Sequence, residues 1–138
     1  MRSFPFSALV GQELLKKSLL VNAVDPSIGG VLLRGEKGTG KTTAVRSFAA
    51  VLPPKEVVSG CRFGCVRETR LCDECRAREA SGEVLRYESR PVEVVDLALN
   101  ASEDRVVGSL DLEAALRDGS RKFEMGVLGK ANGNILYI

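Results

Sequence analysis

Residues 35–42 read GEKGTGKT, and no other stretch constrains the fold as tightly. It fits the pattern G-x-x-x-x-G-K-[ST] and lies between an apolar run, Val31-Leu32-Leu33, and a segment with helical spacing, KTTAVRSFAAVLPP. Strand, loop, helix is the context in which such a loop binds phosphate. Glycines at 35, 38 and 40 permit positive φ, so successive N–H groups can turn toward one anion. A helix starting near Lys41 adds its N-terminal partial charge and its unpaired N–H groups. The residues expected around the phosphates are Gly35, Glu36, Lys37, Gly38, Thr39, Gly40, Lys41, Thr42 and Thr43. Lys41 is expected to reach the β- and γ-phosphates, and the Thr42 hydroxyl to join the shell of an ATP-bound Mg2+. The bland alternative is a glycine-rich turn that merely joins a strand to a helix. Average residue frequencies produce the pattern by chance in roughly one chain of this length in a hundred, so ATP binding is the expectation.

The rest of the chain supplies the alternation that such a loop needs. QELLKKSLLVNA (12–23) places Leu15, Leu19 and Ala23 at four-residue steps, which predicts a helix with one buried stripe. Val31–Leu33 predicts a strand covered on both faces. The helix after the loop carries Ala44, Val45, Phe48, Ala49 and Leu52 on one side and is stopped by Pro53-Pro54. PVEVVDLAL (91–99) and the terminal ILYI predict two more strands, with a helix in DLEAALRDG between them. Helices alternating with apolar strands indicate an α/β fold with a mainly parallel sheet.

Composition narrows the function classes. The net charge of +2 creates no strong field for a polyanion. The arginines between 62 and 90 alternate with Glu68, Asp73, Glu74, Glu79 and Glu83, which reads as a solvated mixed-charge face with no nucleic-acid partner. No run of about 18 apolar residues is present to cross a bilayer, and MRSFPFSALVGQ lacks the apolar core of a secretion signal. A cytoplasmic location is the default expectation. The chain has no histidine, which removes the commonest general base.

Residues 56–90 differ in character, with four cysteines, many arginines and few large apolar side chains, and read as an insertion. Cys61, Cys65, Cys72 and Cys75 follow C-x3-C-x6-C-x2-C. Four thiolates at this spacing suit tetrahedral Zn2+, although the middle gap is shorter than in zinc ribbons. Nearby arginines would lower thiol pKa values, which also suits a thiol–disulfide switch. Four reduced cysteines in a tolerant insertion are the third possibility.

Two stretches carry a family resemblance. FPFSALVGQELLKKSLLVNAVDPSIGGVLLRGEKGTGKTTAVRSFAAVLP resembles the start of the AAA+ ATPase I subunit of magnesium chelatase and its cobaltochelatase relatives. ASEDRVVGSLDLEAALRDGSRKFEMGVLGKANGNILYI is similar to the stretch leading into that family's Walker B strand, and SLDLEAALRDGSRKFEMG matches its helix-and-hairpin insertion. The resemblance leaves out only the cysteine-rich middle. It implies a P-loop NTPase of three-layer α/β/α architecture, of which residues 1–138 are the N-terminal part, with 56–90 inserted. It implies that Val10 and Gly11, with Gln12, line the adenine pocket. It also implies ATP-driven, hexamer-like homo-oligomeric rings that work with other chelatase subunits to insert a metal ion into a porphyrin- or corrin-type macrocycle.

In the family an acidic pair follows ILYI at once. The resemblance therefore implies that the Walker B carboxylates, sensor residues, arginine finger and helical lid lie beyond residue 138. A strand from that region would separate the loop strand from ILYI. The expectation is that residues 1–138 alone bind ATP without effective hydrolysis, contribute no catalytic residue, and aggregate readily through unpaired strand edges. Competing readings are a chaperone-like AAA+ ATPase of the same clade, a P-loop small-molecule kinase, and a zinc or redox module with a vestigial nucleotide loop.

Overall fold

The computed structural model describes residues 4–67, 70–111, 116–117 and 122–138. They fall into two compact units, Met1–Leu52 and Pro53–Ile138.

The first unit is helical. A 3-10 turn at Phe6–Ala8 leads to α1 (Glu13–Val24), a second 3-10 turn at Pro26–Ile28, and α2 (Lys41–Ala49). Its core forms on α2, where Ala44, Val45, Phe48 and Ala49 are buried and Phe48 meets the Phe6 ring at a centroid distance of 5.4 Å. Helix α2 is shorter than its sequence predicts. It ends at Ala49, three residues before Leu52, and a turn covers the rest. On α1 the stripe is rotated from its predicted line: Leu15, Ser18, Leu19 and Asn22 turn inward, whereas Ala23 is exposed.

Ser47 lies within the α2 core, 2% exposed, and its hydroxyl donates to the Ala44 carbonyl at 3.0 Å. That carbonyl already accepts a bond in the helix ladder, so deleting the hydroxyl orphans no buried group. Ser47→Ala is expected to change stability by no more than about 0.5 kcal/mol, measurable as an unchanged denaturant midpoint.

One predicted strand does not form. Val31-Leu32-Leu33 pairs with no other segment among the described residues, and Leu32 is 78% exposed. A strand exists only through its ladder, and no described strand lies beside this run.

The second unit carries all the sheet structure described, as three two-stranded sheets. Strands β1 (Lys55–Val58) and β2 (Tyr87–Arg90) pair antiparallel, Val58 opposite Tyr87, and α3 (Asp73–Ala80) lies between them in sequence. Strand β3 (Val94–Asp96) pairs in parallel with the last strand, β6 (Ile135–Tyr137), with Val95 opposite Leu136. Their connection runs through a short helix α4 (Glu103–Val107), a hairpin of β4 (Gly108–Asp111) and β5 (Lys122–Met125), and a helical turn α5 (Val127–Lys130). A crossover of this kind is what joins parallel neighbours. Asn134 organises the entrance to β6: its Oδ1 accepts from Lys55 Nζ at 2.6 Å and from the Glu93 N–H at 3.1 Å, and its Nδ2 donates to the Lys130 carbonyl at 2.8 Å.

The two strands expected in 91–99 and ILYI are thus present and parallel, and the fold is mixed α/β. The helix expected in DLEAALRDG lies largely outside the described residues. Among the described residues no helix is long and apolar enough to cross a membrane.

Candidate functional site

The phosphate loop is built from the glycines outward. Gly38 and Gly40 have φ of 84° and 78°, the left-handed region where a side chain would be strained. Gly40 is also the N-cap of α2, so the loop runs directly into the helix start. Lys41, the first residue of the helix, sends its ammonium back across the loop. Nζ donates to the Gly35 carbonyl at 2.9 Å, the Glu36 carbonyl at 2.5 Å and Thr39 Oγ1 at 3.0 Å. The Thr39 hydroxyl in turn donates to the Glu36 carbonyl at 3.0 Å. One cation therefore sits within a ring of backbone spanning residues 35–41, where phosphate oxygens would compete with carbonyls for its protons. Glu36 and Lys37 are exposed on the turn, and Thr42 and Thr43 are exposed on the first turn of α2.

The segment before α1 meets this loop through Gln12. Its Nε2 donates to the Thr39 carbonyl, and the residue itself is left-handed with φ of 53°. Val10, expected to line an adenine pocket, is 96% exposed, and Gly11 is exposed beside it. The Gln12 contact was not predictable as a distance. Its only signal in sequence is the VGQ tripeptide.

In the second unit, β1 and β2 frame a compact thiol centre. Cys61 and Cys65 flank a tight turn, with the Gly64 N–H donating to the Cys61 carbonyl at 3.2 Å. Cys72 is the N-cap of α3 and Cys75 lies in its first turn. All four sulfur atoms lie within 4.8 Å of one another, and Cys61 Sγ and Cys72 Sγ are 3.8 Å apart. Cys61, Cys65 and Cys75 are 4%, 2% and 1% exposed, and Cys72 is half-buried. Cys65 Sγ accepts the Cys72 N–H at 3.2 Å.

The thiols are electrostatically unequal. Burial pushes the Cys61 thiol up, but the Cys65 and Phe63 N–H groups and its thiol neighbours outweigh it and bring the pKa down to about 7. Burial dominates at Cys65, raised to about 11, and at Cys75, raised further. Arg78 faces this centre from α3. Its guanidinium donates to both carboxylate oxygens of Glu83 and to the Ser59 carbonyl at 3.1 Å. Its pKa is raised, first by Glu83 and then by the charge of Cys75 and Cys61.

The chain is 51% identical, over 98% of its length, to a protein of Methanocaldococcus jannaschii described as a magnesium-chelatase subunit ChlI homolog. It is 50% identical over its full length to the magnesium-chelatase 38 kDa subunit of Acidiphilium rubrum. Over nearly its whole length the chain is similar to magnesium-chelatase ChlI and 38 kDa subunits. Among chloroplast members, the ChlI subunit of Chlamydomonas reinhardtii is 44% identical over 98% of the chain. A solved structure of the complex between subunits BchI and BchD of magnesium chelatase, based on a cryo-EM reconstruction, superimposes with a TM-score of 0.76. It is 46% identical, and the match covers 99% of this chain and 41% of that one. The chain spans 37% and 40% of the lengths of the Methanocaldococcus and Acidiphilium relatives, about two-fifths of each. No family model matches it.

Proposed function

We propose that this chain is the nucleotide-binding part of an ATP-driven motor subunit in a magnesium-chelatase-type complex. Lys41 carries the reading: an ammonium held over a glycine-rich backbone ring at the start of α2, in a chain half identical to magnesium-chelatase subunits. Gly35 to Thr43 hold the triphosphate, with Lys41 turned from the Gly35 and Glu36 carbonyls onto the β- and γ-oxygens. The Thr42 hydroxyl, exposed at the helix start, ligates the Mg2+ that accompanies ATP, and that ion offsets charge on the phosphates. Val10 and Gly11 lie against the adenine, positioned by the bond from Gln12 to Thr39. The subunit acts in a P-loop AAA+ ring with a three-layer α/β/α domain, beside a second, BchD-like subunit. ATP hydrolysis there drives a separate catalytic subunit that inserts a metal ion, the substrate of the reaction, into a tetrapyrrole.

Within that cycle residues 1–138 supply nucleotide binding.

A direct test is titration of a fluorescent ATP analogue into the full-length protein, with and without Mg2+. The expected result is saturable binding of micromolar strength that Mg2+ enhances and unlabelled ATP reverses. Absence of binding at millimolar nucleotide refutes the proposal.

A further inference from the structure

We propose that Cys61, Cys65, Cys72 and Cys75 bind one structural Zn2+, and that this ion holds the 62–64 turn against the hairpin and α5 that lead into β6.

The sulfur positions carry the first part. Zinc–thiolate bonds of about 2.3 Å place sulfur atoms about 3.8 Å apart in a tetrahedron. The Cys61–Cys72 separation is 3.8 Å, and no pair among the four exceeds 4.8 Å. The ligands come as a turn pair and a helix-start pair, each closed by local backbone bonds, so the site is assembled by short-range structure. All four positions are protein thiols and three are buried, which leaves no open coordination site and suits a structural role over a catalytic one. The Cys72 N–H donates to Cys65 Sγ, a contact that a metal-bound thiolate keeps.

The packing gives an independent reason. The buried cluster inside residues 55–90 is Val58 with Cys61, Cys65 and Cys75. Phe63, Leu71, Cys72, Leu85 and Tyr87, themselves only partly buried, pack against it. Thiols are three of the four members of that cluster, so a metal that joins them consolidates the packing there. Disulfides would join the sulfurs in two pairs, whereas the geometry brings all four to one centre.

The same turn reaches outward. The Arg62 guanidinium donates to the Phe123 carbonyl at 2.7 Å and pairs with Glu74 of α3 at 2.6 Å. Phe63 stacks on Phe123 with centroids 6.5 Å apart, and the Phe63 carbonyl accepts from Asn132 Nδ2 at 2.9 Å. Residues 62–64 therefore touch β5 and the turn after α5, the segments that set the position of Ile135–Tyr137. Losing the ion frees that turn and so loosens both contacts.

The test is metal analysis of the full-length protein, purified under reducing conditions without added metal. The expected result is about one zinc per chain, released as a thiol reagent titrates four cysteines. Exchange for Co2+ should give the sulfur-to-cobalt charge-transfer band and intense visible bands of a tetrahedral tetrathiolate. Removing zinc should raise amide exchange at 123–132 as well as at 61–75. Because Cys72→Ser with Cys75→Ser can unfold the segment, the cobalt spectrum of the unmutated protein is the deciding readout. Iron in place of zinc, cysteines paired as disulfides without metal, or a reduced protein that takes up neither zinc nor cobalt would each overturn the site. Unchanged exchange at 123–132 on zinc removal overturns the buttressing role.

Discussion

Lys41→Ala in the full-length protein is expected to weaken ATP binding by about 100-fold while leaving the fold intact. The ammonium makes three hydrogen bonds to the loop, to the Gly35 and Glu36 carbonyls and to Thr39 Oγ1. In the nucleotide complex it exchanges neutral acceptors for phosphate oxygens that carry full charge. A hydrogen bond to a charged group contributes about 1.5–3 kcal/mol, and a factor of 100 is about 2.7 kcal/mol. Stability should change little, because these bonds lie on an exposed loop and the α2 core of Ala44, Val45, Phe48 and Ala49 is untouched. Lys41→Arg separates charge from shape. Its planar head cannot occupy the point where three loop acceptors converge, so charge alone should restore only part of the affinity. Competition titration of a labelled ATP analogue gives the ratio, and circular dichroism checks the fold. An alanine variant that binds as tightly as the parent removes the assigned role of this lysine.

The loop was legible in sequence because its chemistry is local. Glycine at 38 and 40 is needed for conformations that depend on those residues alone, and α2 follows directly. The thiol centre was half legible. Spacing showed that four sulfurs could meet, but only their positions separated one four-sulfur site from two pairs or four independent thiols. Strands 91–99 and ILYI were correctly read, yet their parallel pairing is a long-range fact that no window of residues contains. Val31–Leu33 failed for the converse reason. An apolar run signals a strand only if a partner supplies its ladder, and none of the described strands does. The stripe on α1 was misread by one position because four-residue steps drift around a helix of 3.6 residues per turn. The VGQ tripeptide marked the segment but not which carbonyl Gln12 reaches, since a glutamine amide reaches many carbonyls equally well.

Gly108→Ala is expected to open the β4–β5 hairpin, an effect invisible in the sequence. Gly108 ends α4 and begins β4 with φ of 106°, a backbone angle that side chains rarely tolerate. Its missing Cβ faces the Glu124 carbonyl oxygen and lies 2.8 Å from the Gly126 nitrogen, both backbone atoms of the opposite strand and its exit. A methyl group there can be accommodated only if the strands separate. Strain at positive φ costs about 1–3 kcal/mol, and overpacking adds about 1–3 kcal/mol, so a local loss of about 3 kcal/mol is a conservative expectation. At 1.4 kcal/mol per decade that lowers amide protection roughly 100-fold in residues 108–110 and 123–126. Gly126→Ala isolates the steric part. Its φ of −76° suits any residue, while its Cβ would lie 2.5 Å from the Gly108 nitrogen and 2.6 Å from the Val107 carbonyl carbon. It should therefore loosen the same amides by a smaller factor. Hydrogen exchange read by mass spectrometry distinguishes the two. Protection unchanged in Gly108→Ala would mean that β4 does not approach β5 and Gly126 as closely as the close Gly108 contacts require.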